Sequence, residues 1–318
     1  MIKVSPMPDE LAIAHEGRIA WMNGWLNEAE ARIYIWRDNM QMGHDLSGMN
    51  RLHRLAWISD IAPREYMKLH SMLPIIKMIS NRTNEIFGEA TEGLSRSLSM
   101  STQKKGAFCC PECMNEDLKF WDFSWYRRKH HLIGIDWCSL HGCQLLNVRD
   151  ENAFYRNPHH WQKLGQLKRP QISTTKFPES AIVRRYIDIS EALLLQTRPF
   201  SFLQAKEILA AKIKKYNLKY KTVEEFLTEK FQNSVPDQWL KSLDPRFCIT
   251  NPFFQSSKIS YELATLKIAG FDLLFILALA ILYKSPEEAL HEIEKAKNSE
   301  AVDGLSEKVC ADVGIVIN

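Results

Sequence analysis

The stretch that decides the fold of this 318-residue chain runs from Phe108 to Gly142 and reads FCCPECMNEDLKFWDFSWYRRKHHLIGIDWCSLHG. It contains a C-x2-C pair, Cys110 and Cys113, which is followed after 24 residues by a C-x2-H pair, Cys138 and His141. Each pair places two soft ligands on a tight turn, and four such ligands complete a tetrahedral Zn2+ site. The spacing therefore predicts one structural zinc ion bound by these four side chains.

Two further cysteines leave part of this ligand assignment open. Cys109 precedes Cys110 and Cys143 follows His141 by two positions, so each of them could replace a ligand. We favour Cys110 because only Cys110 has the two-residue spacing to Cys113 and is followed by a turn-forming proline. Unliganded cysteines in an apolar core are the alternative to a metal site.

A zinc ion with four protein ligands has no open position for water or substrate. The chain also lacks H-E-x-x-H, a glycine-rich phosphate loop and a G-x-S-x-G elbow, and no H-x-E precedes the first cysteine pair as it does in nucleobase deaminases. We therefore expect a structural metal and a protein that is not an enzyme.

Helical patterns flank the metal-binding stretch on both sides. Apolar residues recur at spacings of three and four within 1–100 and again beyond 180, and Ser201 is placed to cap a helix that starts at the next residue. Residues 271–283 (FDLLFILALAILY) are typical of a buried core helix and too short to span a membrane. The predicted fold is mainly α, with two helical domains of helix-turn-helix type flanking a small zinc-finger module. The predicted domains are an N-terminal helical domain (1–100), the zinc-finger module (101–150), an irregular linker (151–178) and a C-terminal helical domain (179–318).

The net charge of +3 hides an uneven distribution along the chain. Residues 101–242 contain 23 basic and 15 acidic residues, a net charge of +8, whereas the segments before and after carry −1 and −4. Two basic runs lie in this middle part, and three short helical patterns over 202–242 have the spacing of a helix-turn-helix. A solvated helix face is the alternative interpretation of each run. The side chains predicted to contact DNA are Arg127, Arg128, Lys129, Lys212, Lys214, Lys215, Lys219 and Lys221.

The cysteine usage indicates a reducing compartment. Seven cysteines in 318 residues are far fewer than a disulfide-stapled secreted domain contains, and the first residues lack an apolar signal region. We therefore expect a cytoplasmic protein.

The motifs together resemble the TniQ/TnsD family of bacterial transposon target-selection proteins. The Cys/His pattern from Phe108 to Leu146 is similar to the family's zinc-finger signature. Pro8-Asp9-Glu10-Leu11 with Arg18 resembles the family's N-terminal motif, and His70-Ser71-Met72-Leu73-Pro74 resembles its H-[ST]-x-x-P segment. Many members carry a second C-x2-C pair after the first zinc site, whereas only Cys143 follows here, so a second zinc is not expected.

The resemblance implies a target-site selector at the bacterial nucleoid, which marks DNA and recruits an AAA+ regulator (TnsC/TniB-like) that loads the transposase. The alternative that it implies is a protein-protein adaptor docked on an RNA-guided CRISPR complex, with little DNA specificity of its own. Expected partners are thus double-stranded DNA and the AAA+ regulator. A CRISPR effector complex and a second copy of the chain are further candidates, and no membrane partner is expected.

Overall fold

The computed structural model describes residues 1–25, 27–44, 49–79, 100–170, 180–215, 236, 239, 240, 243 and 271–297. Within these ranges the chain is mainly α-helical, as the sequence predicts. The helices that precede the metal-binding stretch are α1 (Ala12–Met22), α2 (Glu28–Gln41), α3 (Arg51–Ile58), α4 (Pro63–His70) and α5 (Leu73–Ile76). The elements that follow are β1 (Ala107–Cys109), α6 (Pro111–Trp121), β2 (Leu146–Val148), α7 (Pro158–Lys163), α8 (Ala181–Leu193), α9 (Phe202–Lys215), α10 (Phe271–Leu282) and α11, which covers 286–297.

Local capping signals set the starts of the N-terminal helices. The Asn27 side chain accepts a hydrogen bond from the backbone of the third residue of α2, and the Asn50 side chain does the same for the first turn of α3. A four-residue turn joins α3 to α4, and Asp60 in this turn has a positive φ of 55°. Helix α5 ends at Ile76, and residues 80–99 lie outside the described ones.

The metal-binding stretch is built on a small antiparallel ladder. β1 and β2 pair with Ala107 opposite Val148, and a third segment joins the ladder through Asn147 and Lys168. The backbone amides and carbonyls of Asn147 and Lys168 exchange two hydrogen bonds of 2.8 and 2.9 Å. This ladder fixes the direction in which the chain enters α6.

The C-terminal part of the described chain is organised around α10. Its residues from Leu274 to Leu282 are almost all buried and pack on α8 and α9, which confirms the prediction of a core helix. Ser201 begins α9 with a reciprocal cap, because its hydroxyl accepts from the Gln204 amide at 3.0 Å while the Gln204 side chain accepts from the Ser201 amide at 2.7 Å. Among the described helices, none combines the length and the hydropathy needed to cross a bilayer.

The predicted linker over 151–178 differs from the structure in its first part. Residues 153–163 form a 3-10 turn and α7, with Tyr155 and Trp161 buried, and the turn packs against α1. Residues 171–179 lie outside the described ranges. The closely spaced prolines do prevent a long helix here, but α7 uses Pro158 as its first residue, where no backbone amide is required.

The predicted zinc-finger module and the C-terminal helices share one apolar core. Trp239 donates from its indole to the Gly134 carbonyl at 2.8 Å and meets the Tyr186 ring edge-on, with 5.0 Å between ring centroids. The Tyr186 hydroxyl in turn donates to the Ile133 carbonyl at 3.1 Å. The metal-binding stretch is therefore supported by packing from residues far along the chain.

Replacing Gly17 by alanine is expected to destabilise the protein, although alanine normally stabilises a helix by about 1 kcal/mol over glycine. A Cβ atom at this position would overlap the carbonyl oxygen of Phe154 and lie 2.6 Å from its carbonyl carbon. Backbone atoms cannot yield as a flexible side chain does, so we expect a loss of about 2 kcal/mol in unfolding free energy. Urea denaturation of the Gly17→Ala variant measures this change in unfolding free energy. A gain in stability would contradict the close packing of Gly17 on the Phe154 backbone.

Candidate metal centre

The first pair of ligands lies where β1 runs into α6. Cys110 is the N-cap of α6, and its Sγ accepts a hydrogen bond from the backbone amide of Cys113 at 3.3 Å. Pro111 occupies the first helical position, which suits its fixed φ. The strand-to-helix turn therefore aims both thiols at one point.

The second pair of ligands lies on a tight turn that leads towards β2. The backbone amide of Gly142 donates to the Cys138 carbonyl at 2.8 Å, and the Cys138 amide donates to the Cys143 carbonyl at 2.9 Å. Gly142 has a φ of 63°, a conformation that glycine adopts without strain. This turn brings His141 back over the Cys138 thiol.

The four predicted ligand atoms come together as a tetrahedron would require. The Sγ atoms of Cys110, Cys113 and Cys138 and the Nδ1 atom of His141 all lie within 4.8 Å of one another. The His141 Nδ1 atom is 3.4, 3.4 and 3.6 Å from these three sulfurs, and 3.7 Å separates the sulfurs of Cys113 and Cys138. A tetrahedral zinc site with Zn–S bonds of about 2.3 Å and Zn–N bonds of about 2.05 Å has edges of about 3.8 Å (S to S) and about 3.5 Å (S to N). The four residues could thus hold one metal ion.

The charges around the group suit metal binding. Hydrogen bonds from the thiols of Cys110 and Cys113 lower the pKa of Cys138, and the contact with Cys138 raises the pKa of both other thiols, so the three sulfurs favour one thiolate at Cys138. The Nε2 atom of His141 lies 3.1 Å from a carboxylate oxygen of Glu116 on α6. Such a carboxylate fixes the ring orientation of a ligating histidine and leaves Nδ1 to face the metal. Sequence reasoning missed Glu116, although its position three residues after Cys113 on a helix that starts at Pro111 places both on one face.

Cys109 and Cys143 differ in how they lie relative to the ligand group. Cys109 points into the main apolar core, and burial raises the pKa of its thiol to about 12, which makes it an unreactive thiol. Cys143 is half-buried, and its Sγ contacts the Sγ of Cys110 at 3.3 Å. Cys143 is thus next to the candidate site but is not one of the four grouped ligands.

The basic run after Tyr126 is mostly internal, which removes one of its predicted DNA contacts. Arg127 makes a bidentate ion pair with Asp117 at 2.9 and 2.6 Å. The Arg128 side chain is only 2% exposed, pairs with Asp9 at 2.9 Å, and donates to backbone carbonyls of residues 68 and 71. A phosphate contact needs an accessible cation, which the buried Arg128 does not offer. Arg127 and Lys129 are both half-buried, and their contacts with DNA stay predictions.

Lys129 lines a cavity of about 380 Å³ at the junction of the N-terminal motif, the metal-binding stretch and α8. Its ammonium group is 3.4 Å from the Ser139 hydroxyl. Glu191 also lines the cavity; burial raises the pKa of its carboxyl group, while a hydrogen bond from Ser139 and the charge of Lys129 lower it. Lys129 is therefore placed between a ligand turn of the metal site and a helix of the C-terminal part.

The second predicted DNA-binding set is only partly described. Lys212 is buried on α9, where it pairs with Glu288 and lies over the Tyr283 ring at 4.6 Å, so its burial contradicts a DNA contact. The side chains of Lys214 and Lys215, and residues Lys219 and Lys221 altogether, lie outside the described residues. The predicted helix-turn-helix over 202–242 is also only partly described. The described residues in it are those of α9 together with Pro236, Trp239 and Leu240.

The two motifs upstream of the metal site meet it in one buried polar network. Arg18 makes a bidentate ion pair with Glu10 at 2.9 and 2.7 Å, and the Glu10 carbonyl lies 3.0 Å from the Nδ1 atom of His70. The next residue, Ser71, accepts a hydrogen bond from Arg128 through its carbonyl at 3.0 Å. The motifs at 8–18 and 70–74 are thus structurally joined to the stretch between the two ligand pairs.

The comparison with known proteins agrees with this joined arrangement. The family model TniQ matches residues 1–145, which include both upstream motifs and all four grouped ligands. No curated protein shows significant similarity to the chain. The family has an adaptor role associated with DNA transposition. Residues 1–145 therefore match the TniQ family.

Proposed function

We propose that this protein is a target-site adaptor in DNA transposition that marks target DNA, recruits an AAA+ regulator which loads the transposase, and has no catalytic activity of its own. The single observation that carries the proposal is the TniQ match over the first 145 residues. The metal centre supports it because four protein ligands leave no position for a substrate.

We propose zinc as the metal and a structural role for it. Three thiols and an imidazole at tetrahedral separations are a donor set typical of structural Zn2+, which when bound would cross-link the two ligand turns. Two contacts within the chain support this site. Glu116 orients the His141 ring, and the Cys110 Sγ accepts a hydrogen bond from the first turn of α6.

The DNA-contacting region that we propose surrounds the three-segment ladder. Four exposed cations belong to its segments or flank them, two at the same end of β1 and β2 and two on the third segment, and none of them has an ion-pair partner among the described residues. The nearby carboxylate of Asp150 is occupied in capping the following turn, where it accepts from the Asn152 amide at 2.8 Å. We call this set the basic edge, and it consists of Lys105, Arg149, Lys168 and Arg169.

Changing all four residues of the basic edge to alanine is expected to weaken binding of duplex DNA and to reduce its salt dependence. Each lost phosphate contact lowers the slope of log K against log salt by about 0.9, so four contacts predict a decrease of about 3 to 4. Fluorescence anisotropy with a labelled duplex over a salt series measures both quantities for the full chain.

A matched control removes two exposed arginines of α2, Arg32 and Arg37, and should leave the slope unchanged. An unchanged slope in the basic-edge variant would exclude this surface as the DNA contact. If the wild-type chain is retained on DNA only when an RNA-guided CRISPR complex is present, the alternative of an adaptor docked on that complex would be supported instead.

A further inference from the structure

Helix α2 has two apolar faces, and the core uses only one of them. Ala31, Ile35 and Asn39 are buried on the inner face. On the other side Ile33, Trp36 and Met40 are 54%, 44% and 49% exposed. A surface helix normally presents polar residues opposite its buried face, so this outer face requires another explanation.

The outer apolar residues have the spacing of a coiled-coil seam. With the exposed Ala29 they are separated by four, three and four positions, and at about 100° per residue they lie within about 60° of one another. In heptad terms Ile33 and Met40 occupy a positions, and Ala29 and Trp36 occupy d positions. We call these four residues the α2 seam.

Two exposed arginines border the α2 seam, one on each side. Arg32 occupies the g position before Ile33, and Arg37 occupies the e position after Trp36. The Arg37 guanidinium lies over the Tyr34 ring, 5.4 Å from its centroid, and neither arginine forms an ion pair within the described ranges. Residues at e and g select the charge of the opposing helix.

We propose that the α2 seam binds an amphipathic helix of a partner protein, one that has an apolar seam of its own flanked by acidic residues. The apolar residues supply the contact area, and Arg32 and Arg37 pair with carboxylates on both sides. This inference goes beyond the proposed function because it specifies a docking surface separate from the metal centre and the basic edge.

The charges argue against a parallel pair of α2 helices from two copies of this chain as the occupant. In such a pair Arg32 would face Arg37 of the other copy, since g and e positions five residues apart oppose each other. An antiparallel pair that aligns the four seam residues would instead place Arg37 opposite Glu30, so self-association is one of the outcomes that the test must detect. DNA is also a poor match, because its phosphates would meet Ile33, Trp36 and Met40.

The test uses two synthetic three-heptad peptides with leucine at a and d, one with glutamate at e and g and the other with lysine there. Their binding to the full-length chain is followed by fluorescence anisotropy. We expect saturable binding of the glutamate peptide and at least about tenfold weaker binding of the lysine peptide. The Trp36→Ala variant should bind neither peptide, because an aromatic anchor at the centre of a seam dominates such interfaces.

Charge reversal distinguishes ion pairing by Arg32 and Arg37 from nonspecific hydrophobic binding. The variant R32E/R37E should prefer the lysine peptide, whereas K284E/K295E, which reverses two exposed lysines on other parts of the chain, should keep the wild-type preference. All changed side chains are exposed, so unfolding midpoints should match the wild type. Absence of saturable binding, equal binding of both peptides, or unchanged binding by Trp36→Ala would overturn the proposal. So would self-association or duplex binding that Trp36→Ala abolishes.

Discussion

Replacing Cys113 by serine is expected to release the metal and to unfold the region between β1 and β2. Cys113 supplies one of four grouped ligand atoms, and its thiol contacts both Cys138 and His141. Structural zinc binding is worth about 10–16 kcal/mol in small zinc modules, whereas a whole domain is stable by only about 5–15 kcal/mol. The module cannot keep its ligand turns together once this contribution is lost.

Two measurements follow the Cys113→Ser change. Metal content by inductively coupled plasma mass spectrometry should fall from one ion per chain towards zero. Amide hydrogen exchange should lose its protection in α6 and in the turn at 138–142, both of which depend on the ligand positions.

Cys143 provides the control and also the main complication. Its Sγ lies 3.3 Å from the Sγ of Cys110, close enough to take over a ligand position after Cys113 is lost. The single variant Cys143→Ser should keep its metal, since Cys143 is outside the grouped four. The double variant C113S/C143S should lose the metal completely, and a stable, metal-replete double variant would refute the ligand assignment.

The metal centre could be predicted from the sequence because its geometry is set locally. Two residues between ligands fix each turn, and Pro111 marks the start of α6 whatever the rest of the chain does. The apolar composition of 271–283 likewise predicted α10 without knowledge of its neighbours. Both features depend on residues that are close in the sequence.

The predicted DNA contacts failed where they depended on distant residues. Whether a cation is exposed is decided by the carboxylates and carbonyls that the fold brings to it. Asp9 reaches Arg128 from 119 positions away, and Glu288 reaches Lys212 from 76 positions away. The basic edge is the converse case, because the pairing of β1 with β2 and of Asn147 with Lys168 brings its members together.

Replacing Arg128 by methionine is expected to destabilise the protein by about 3 kcal/mol, because the buried guanidinium is the hydrogen-bond donor to two backbone carbonyls and to Asp9, whose side chain is 28% exposed and keeps part of its hydration. The Arg128 guanidinium binds the Asp9 carboxylate at 2.9 Å and the carbonyls of Lys68 and Ser71 at 2.6 and 3.0 Å. Methionine fills a similar volume but donates to none of these oxygens. The midpoint of urea unfolding should therefore fall sharply.

The neighbouring residue supplies a matched control for this prediction. Lys129→Met removes the same charge one position later, where the half-buried ammonium lies 3.4 Å from the Ser139 hydroxyl and interacts with the Glu191 carboxylate, so we expect a loss of no more than about 1 kcal/mol. The double variant D9N/R128M should recover part of the loss, since it also removes the carboxylate that Arg128 neutralises. If Arg128→Met instead keeps wild-type stability and loses only DNA binding, Arg128 is a surface contact and the buried network joining the N-terminal motif to the metal centre is wrong.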